Sequence, residues 1–84
     1  MTATESAIRE FLVNEVLYDR DVKDLKPEDP IIARGLLDSL AILKTVTFCE
    51  ERFGVSIPDH EVVPDHFETV QAIAALVDRR RAGG

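Results

Sequence analysis

A chain of 84 residues with 45% hydrophobic content bounds the answer to one small domain that builds a core of its own. Its net charge of −6, from 16 acids against 10 Lys and Arg, argues against nucleic acid and favours basic protein surfaces as partners. The single cysteine, Cys49, excludes an internal disulfide framework; no membrane-length apolar run and no secretory pattern are visible, so a soluble, cytoplasmic protein is expected.

The first predicted helix covers about Thr4 to Leu17, with Ile8, Leu12 and Val16 at i, i+4 and i+8 and Phe11 beside them. Thr2 and Glu5 have the spacing of a capping box, with Thr4 as a rival cap. From Tyr18 to Asp38 the period fails. Two prolines, a glycine and mixed charges there suit a long connection, anchored by Ile31, Ile32, Leu36 and Leu37.

A second helix is expected from Ser39 to Phe53, stopped by Gly54. Little more than one helical turn fits between Pro58 and Pro64, which gives a short fourth helix. The last helix, about Thr69 to Arg80, puts Val70, Ile73, Ala74 and Val77 on one side. Arg79, Arg80 and Arg81 complement its C-terminal dipole before a flexible tail at about 81–84. The expectation is an all-α bundle in a single domain spanning 1–84.

The second helix carries more apolar surface than one core stripe accounts for. At about 100° per residue, Ile42, Val46, Cys49 and Phe53 fall within a stripe roughly 60° wide. Cys49 there reads as a small buried hydrophobe. Leu40, Leu43 and Phe48 lie about 160°, 100° and 120° away from it. Either the long loop folds over Leu40 and Leu43, or they form an exposed docking face rimmed by Asp38, Glu50 and Glu51. The second reading is preferred, and it puts Ser39 at the head of a partner-binding helix.

Ser39 itself has two readings. A serine at a helix start is an N-cap. Alternatively Asp38 caps, and the Ser39 hydroxyl stands exposed where the helix dipole favours an attached phosphate. Two other chemistries carry little weight. His60 and His66 straddle Pro64 without a shared face or a cysteine for a metal, and a Ser–His–Asp hydrolase lacks material for an oxyanion hole and cleft.

The run "DSLAILKTVTFCEERFGVSIPDHE" resembles the acyl and peptidyl carrier protein family. Asp38, Ser39 and Leu40 match its modification motif. Glu50, Glu51 and Phe53 match the E-E-x-F helix end, and Ile57, Pro58, Asp59 and Glu61 the I-P-D-x-E that follows. "TVQAIAALV", Thr69 to Val77, is similar to its final helix. The resemblance implies an acyl-carrier-like four-helix bundle, three helices longer and one short, that is not an enzyme. It implies 4′-phosphopantetheine on Ser39, bearing cargo as a thioester. It also implies a partner face of Asp38, Leu40, Ala41, Leu43, Lys44, Thr47, Phe48, Glu50 and Glu51. The implied partners are a phosphopantetheinyl transferase and acyltransferase, adenylation/ligase or condensing enzymes, visited by a monomer.

Three departures bear on cargo. The glycine of G-L-L-D-S-L stands one place earlier than in fatty-acid carriers, which is more similar to D-alanyl, aminoacyl and peptidyl carriers. Ala41 and Lys44 occupy positions where acids are common, and Phe48 adds bulk. These point to a stand-alone carrier for an amino acid in natural-product assembly. The alternatives are a fatty-acid synthesis carrier and a helical interaction module in which Ser39 is only a cap.

Overall fold

The computed structural model describes residues 1–22 and 24–83. It is all-α: α1 (Ala3–Phe11), α2 (Ser39–Phe53), the short α3 (Pro64–Phe67) and α4 (Val70–Gly83), with a 3₁₀ turn at Asp59–Glu61 and no strand among the described residues.

Thr2 and Glu5 form the capping box that their spacing predicts. Thr2 Oγ1 accepts from Glu5 N–H at 3.0 Å, and Glu5 Oε1 accepts from Thr2 N–H at 2.9 Å. Thr4 is not a cap: it is buried, and its hydroxyl donates to Asp78 at 3.1 Å, tying the start of α1 to the end of α4. The predicted continuation to Leu17 is not regular. Leu12–Val16 form a π-helical turn, closed by Leu17 N–H donating to Leu12 O at 2.7 Å. On a regular α-helix Leu12 and Leu17 would diverge by roughly 140°; the wider turn accompanies burial of both.

The core gathers Ile8 and Leu12 of α1, Phe67 of α3 and Val70, Ile73, Ala74 and Val77 of α4. Leu76 is buried as well, because α1 and α3 both pack on α4. Thr69 caps α4, its Oγ1 accepting from Ala72 N–H at 2.9 Å. The helix continues through Arg80 to Gly83, beyond its expected end. The short helix does not lie between the prolines; only the 3₁₀ turn does. Pro64 occupies the first turn of α3, where its missing N–H costs nothing.

The connection from residue 18 to 38 is pinned at both ends of its course. Leu25, Ile31, Leu36 and Leu37 are buried, while Ile32 is half-buried. Arg9 Nε donates to Leu25 O at 2.6 Å, Ile31 N–H to Glu68 O at 2.9 Å, and Gln71 N–H to Pro27 O at 2.9 Å. The start of α4 thereby holds the segment that leads into α2.

The inward side of α2 differs from the sequence-based stripe. Ala41, Thr45 and Cys49 are buried, whereas Ile42, Val46 and Phe53 are half-buried along one edge. The Thr45 hydroxyl donates to Ala41 O at 2.8 Å, so a polar residue enters the core with its hydrogen bond made.

Candidate attachment site

The approach to Ser39 is set by a turn that ends at Gly35. Gly35 N–H donates to Ile32 O and Leu36 N–H to Ile31 O, both at 2.9 Å, in the Schellman pattern. Gly35 takes φ 72°, a left-handed conformation that favours glycine. This gives the early glycine of G-L-L-D-S-L a structural role: the turn lets Leu36 and Leu37 enter the core and delivers Asp38 in extended conformation at the head of α2.

Asp38 is the N-cap of α2. Its Oδ1 accepts from Ala41 N–H at 2.8 Å, and its carbonyl accepts from Ile42 N–H at 2.9 Å. Ser39 is thus the first residue inside the helix, exposed, and its hydroxyl takes no hydrogen-bond partner among the described residues. The N–H groups of Ser39 and Leu40 likewise take no acceptor there. Exposed donors at a helix N-terminus, beside a free hydroxyl, fit the phosphate of the phosphodiester-linked group that the resemblance implies.

Of the anticipated partner face, Leu40 and Leu43 are 62% and 58% exposed, so the long loop does not cover them. Asp38, Lys44, Thr47 and Glu51 are exposed with them. Ala41 does not belong to that face: it is only 7% exposed, because the core side of α2 runs through it. Glu50 is half-buried and occupied, its Oε2 accepting from Ile57 N–H at 2.9 Å across the Gly54 stop. Phe48 is half-buried and stacks on Phe11 at 4.2 Å between ring centroids.

Sequence periodicity pointed to α2 alone. In space, a second wall stands beside its outer face, made by Phe11 and Glu15 of the first helical segment. Phe11, which lies beside the Ile8–Leu12–Val16 stripe, was the available signal for it.

Cys49 is fully buried, and its thiol is pushed up to about 12 by desolvation, with the Glu50 charge adding to the effect. It is an inert core group. His66 Nδ1 lies 2.7 Å from Glu61 O and 3.2 Å from Glu61 Oε2, a local contact that holds the 3₁₀ turn to α3, and His60 is exposed. No group of three metal-ligating side chains converges among the described residues, and no helix there is long and apolar enough to cross a membrane.

Residues 10–77 match the family described as a phosphopantetheine attachment site. The chain is 34% identical over 74 residues to the "Probable acyl carrier protein PigG" of Serratia sp., covering 84% of this chain and 85% of that protein. It is 31% identical over 70 residues to the anthracycline acyl carrier protein DauA of Streptomyces sp., covering 82% and 81%. Among solved structures, a chain of the "Crystal structure of FAD-dependent dehydrogenase" superposes with a TM-score of 0.74 at 36% identity. The match covers 83% of this chain and 97% of that one.

Proposed function

The chain belongs to the phosphopantetheine-attachment family of non-catalytic carriers, whose 4′-phosphopantetheine is covalently bound, and on that premise we propose that Ser39 is the attachment residue of a stand-alone carrier protein. One observation carries the assignment: Asp38 caps α2, so the exposed Ser39 hydroxyl is uncommitted. A serine serving only as a cap would spend its oxygen on a backbone N–H.

Each residue has a part in this reading. In the transferase, Ser39 Oγ displaces the nucleotide half of coenzyme A at phosphorus, forming the phosphodiester and losing its hydroxyl proton. The Ser39 and Leu40 N–H groups and the α2 dipole favour the new negative charge. When bound, the arm supplies a terminal thiol on which cargo is held as a thioester. The exposed Leu40 and Leu43, with Lys44 and Thr47, offer enzymes a contact surface beside the tether. The tether keeps cargo at high local concentration for each enzyme in turn. A cytoplasmic monomer suits this itinerary, and its lone thiol is buried.

For cargo, the G-L-L-D-S-L spacing supports an aminoacyl group in natural-product assembly. The similarity to an anthracycline acyl carrier supports natural-product assembly too, with an acyl group as the second reading. The likeness to a chain from an FAD-dependent dehydrogenase structure supports adding a flavin dehydrogenase to the partner classes. The deciding experiment for attachment is the intact mass after incubation with coenzyme A and a broad-specificity phosphopantetheinyl transferase. A gain of one phosphopantetheine unit, absent in Ser39→Ala, is expected. No gain while a control carrier is modified would return Ser39 to a structural role. Loading of the holo-protein by an adenylation enzyme separates aminoacyl cargo from acyl cargo delivered by an acyltransferase.

A further inference from the structure

Beside the head of α2 lies a cleft of about 240 Å³, walled by Tyr18, Arg20 and Gly35 on one side and by Asp38, Leu40 and Lys44 on the other. Ser39 stands between two of these residues in sequence, so a group on its hydroxyl begins beside the cleft. At about 100° per residue, Leu40 and Lys44 stand roughly 100° and 140° round the helix from Ser39. A chain leaving Ser39 for the cleft therefore crosses Leu40.

Several groups in this cleft have no use within the fold. Tyr18 and Leu40 are 75% and 62% exposed, one large apolar surface on each wall. Arg20 reaches only Gly35 O, at 3.5 Å, and the Lys44 ammonium makes no hydrogen bond or ion pair among the described residues. Of the acids there, Asp38 is committed to its cap, and Glu15 and Asp19 stay exposed as acceptors.

The arm implied at Ser39 matches this lining in order. Its charged phosphodiester comes first, a gem-dimethyl carbon follows, and then come a hydroxyl and two amides. The phosphate suits the Arg20 and Lys44 cations, and the methyl groups suit Leu40 and Tyr18. The hydroxyl and amide N–H groups suit the Glu15 and Asp19 carboxylates. A free anion would meet three carboxylates beside two cations, which disfavours it as the occupant. A tethered group differs, because a short flexible tether gives an effective concentration on the order of mM. Contacts too weak to capture a free ligand are then populated.

We propose that the cleft between residues 18–20 and the head of α2 is the resting place of the phosphopantetheine arm. Tyr18 and Leu40 hold its methyl groups, and Arg20 and Lys44 face its phosphate. The proposal rests on Ser39 being the attachment residue. Leu40 and Lys44 also belong to the exposed surface offered to enzymes, so an enzyme seated there displaces the arm and frees it to extend.

The test compares isotope-labelled apo- and holo-protein by NMR, with intact mass reporting attachment separately. Expected in the holo-protein are isotope-filtered NOEs from the arm's methyl protons to the Leu40 methyls and the Tyr18 ring. The amides of Arg20, Gly35 and Lys44 should shift with them. In Tyr18→Ser/Arg20→Gln, changed only at exposed positions and checked for folding by its apo spectrum, the Leu40 NOEs should be lost. Their survival there would overturn the cleft. Shifts confined to residues 38–42, with no arm NOE to Tyr18, would overturn it by leaving the arm in solvent. NOEs to Val46 and Val62 instead would overturn it in favour of the other flank of α2. No mass gain in the unaltered chain would overturn the attachment reading and the cleft with it.

Discussion

Asp38 Oδ1 accepts the Ala41 N–H at 2.8 Å, and this contact separates capping from chemistry. The residue that stabilises the head of α2 and the residue with a free hydroxyl are neighbours, not the same side chain. Asp38→Ala should therefore cost about 1 kcal/mol, and Asp38→Asn much less, because an amide oxygen also caps. Ser39→Ala should stay within about 0.5 kcal/mol of the unaltered protein, since it removes no hydrogen bond. Urea titrations of the three variants check this. A Ser39→Ala loss as large as that of Asp38→Ala would mean that Ser39 is the working cap.

Gly35 and Gly54 both take left-handed φ, 72° and 66°, with open space where a Cβ would stand. Alanine at either site should cost about 1 kcal/mol through backbone strain alone. Their effects on Ser39 should differ. Gly35→Ala disturbs the turn that delivers Asp38, so it should slow phosphopantetheine transfer; Gly54→Ala, at the far end of α2, should not. Equal transfer rates for the two variants at matched folded fraction would remove the turn from the positioning of Ser39.

The Cys49 thiol gives a pH signature. Its folded value is raised from 9.0 to about 12 by desolvation and then by Glu50. Above pH 9.0 the unfolded chain releases a proton that the native chain retains, so stability falls as pH rises. This contribution is intact below pH 9.0 and declines up to about pH 12, by at most about 1.4 kcal/mol per pH unit. Cys49→Ala should remove that part of the alkaline slope. The native thiol should also resist disulfide reagents at pH 8 and react on addition of denaturant; prompt native reaction would contradict its burial.

Much of the fold was legible because local chemistry agrees with the tertiary result. The Thr2–Glu5 box, the Gly54 stop and the Val70–Val77 stripe each act within a few residues, where spacing carries the information. The departures come from contacts distant in sequence. Thr4 was a rival cap until Asp78, 74 positions away, supplied an acceptor. The buried side of α2 runs through Ala41, Thr45 and Cys49, which an apolar period passes over at Thr45, a residue that meets its hydrogen-bonding need within its own helix. The motif pointed to Ser39, but only geometry shows that its hydroxyl is free. The Phe11–Phe48 contact joins two helices whose spacing no periodicity encodes.

The Thr4–Asp78 and Arg80–Ser56 contacts carry a practical corollary for handling the molecule. They place the beginning of α1 and the end of α2 beside the last turns of α4. Ser39 opens α2 some 14 residues before that end, roughly 21 Å away along the axis. A surface linkage, fluorophore or fusion joint introduced near Thr2 or Arg81 thus faces away from the reactive hydroxyl. The domain has a handle at one pole and a working tip at the other, and immobilising it by the handle should leave the tip open to incoming enzymes.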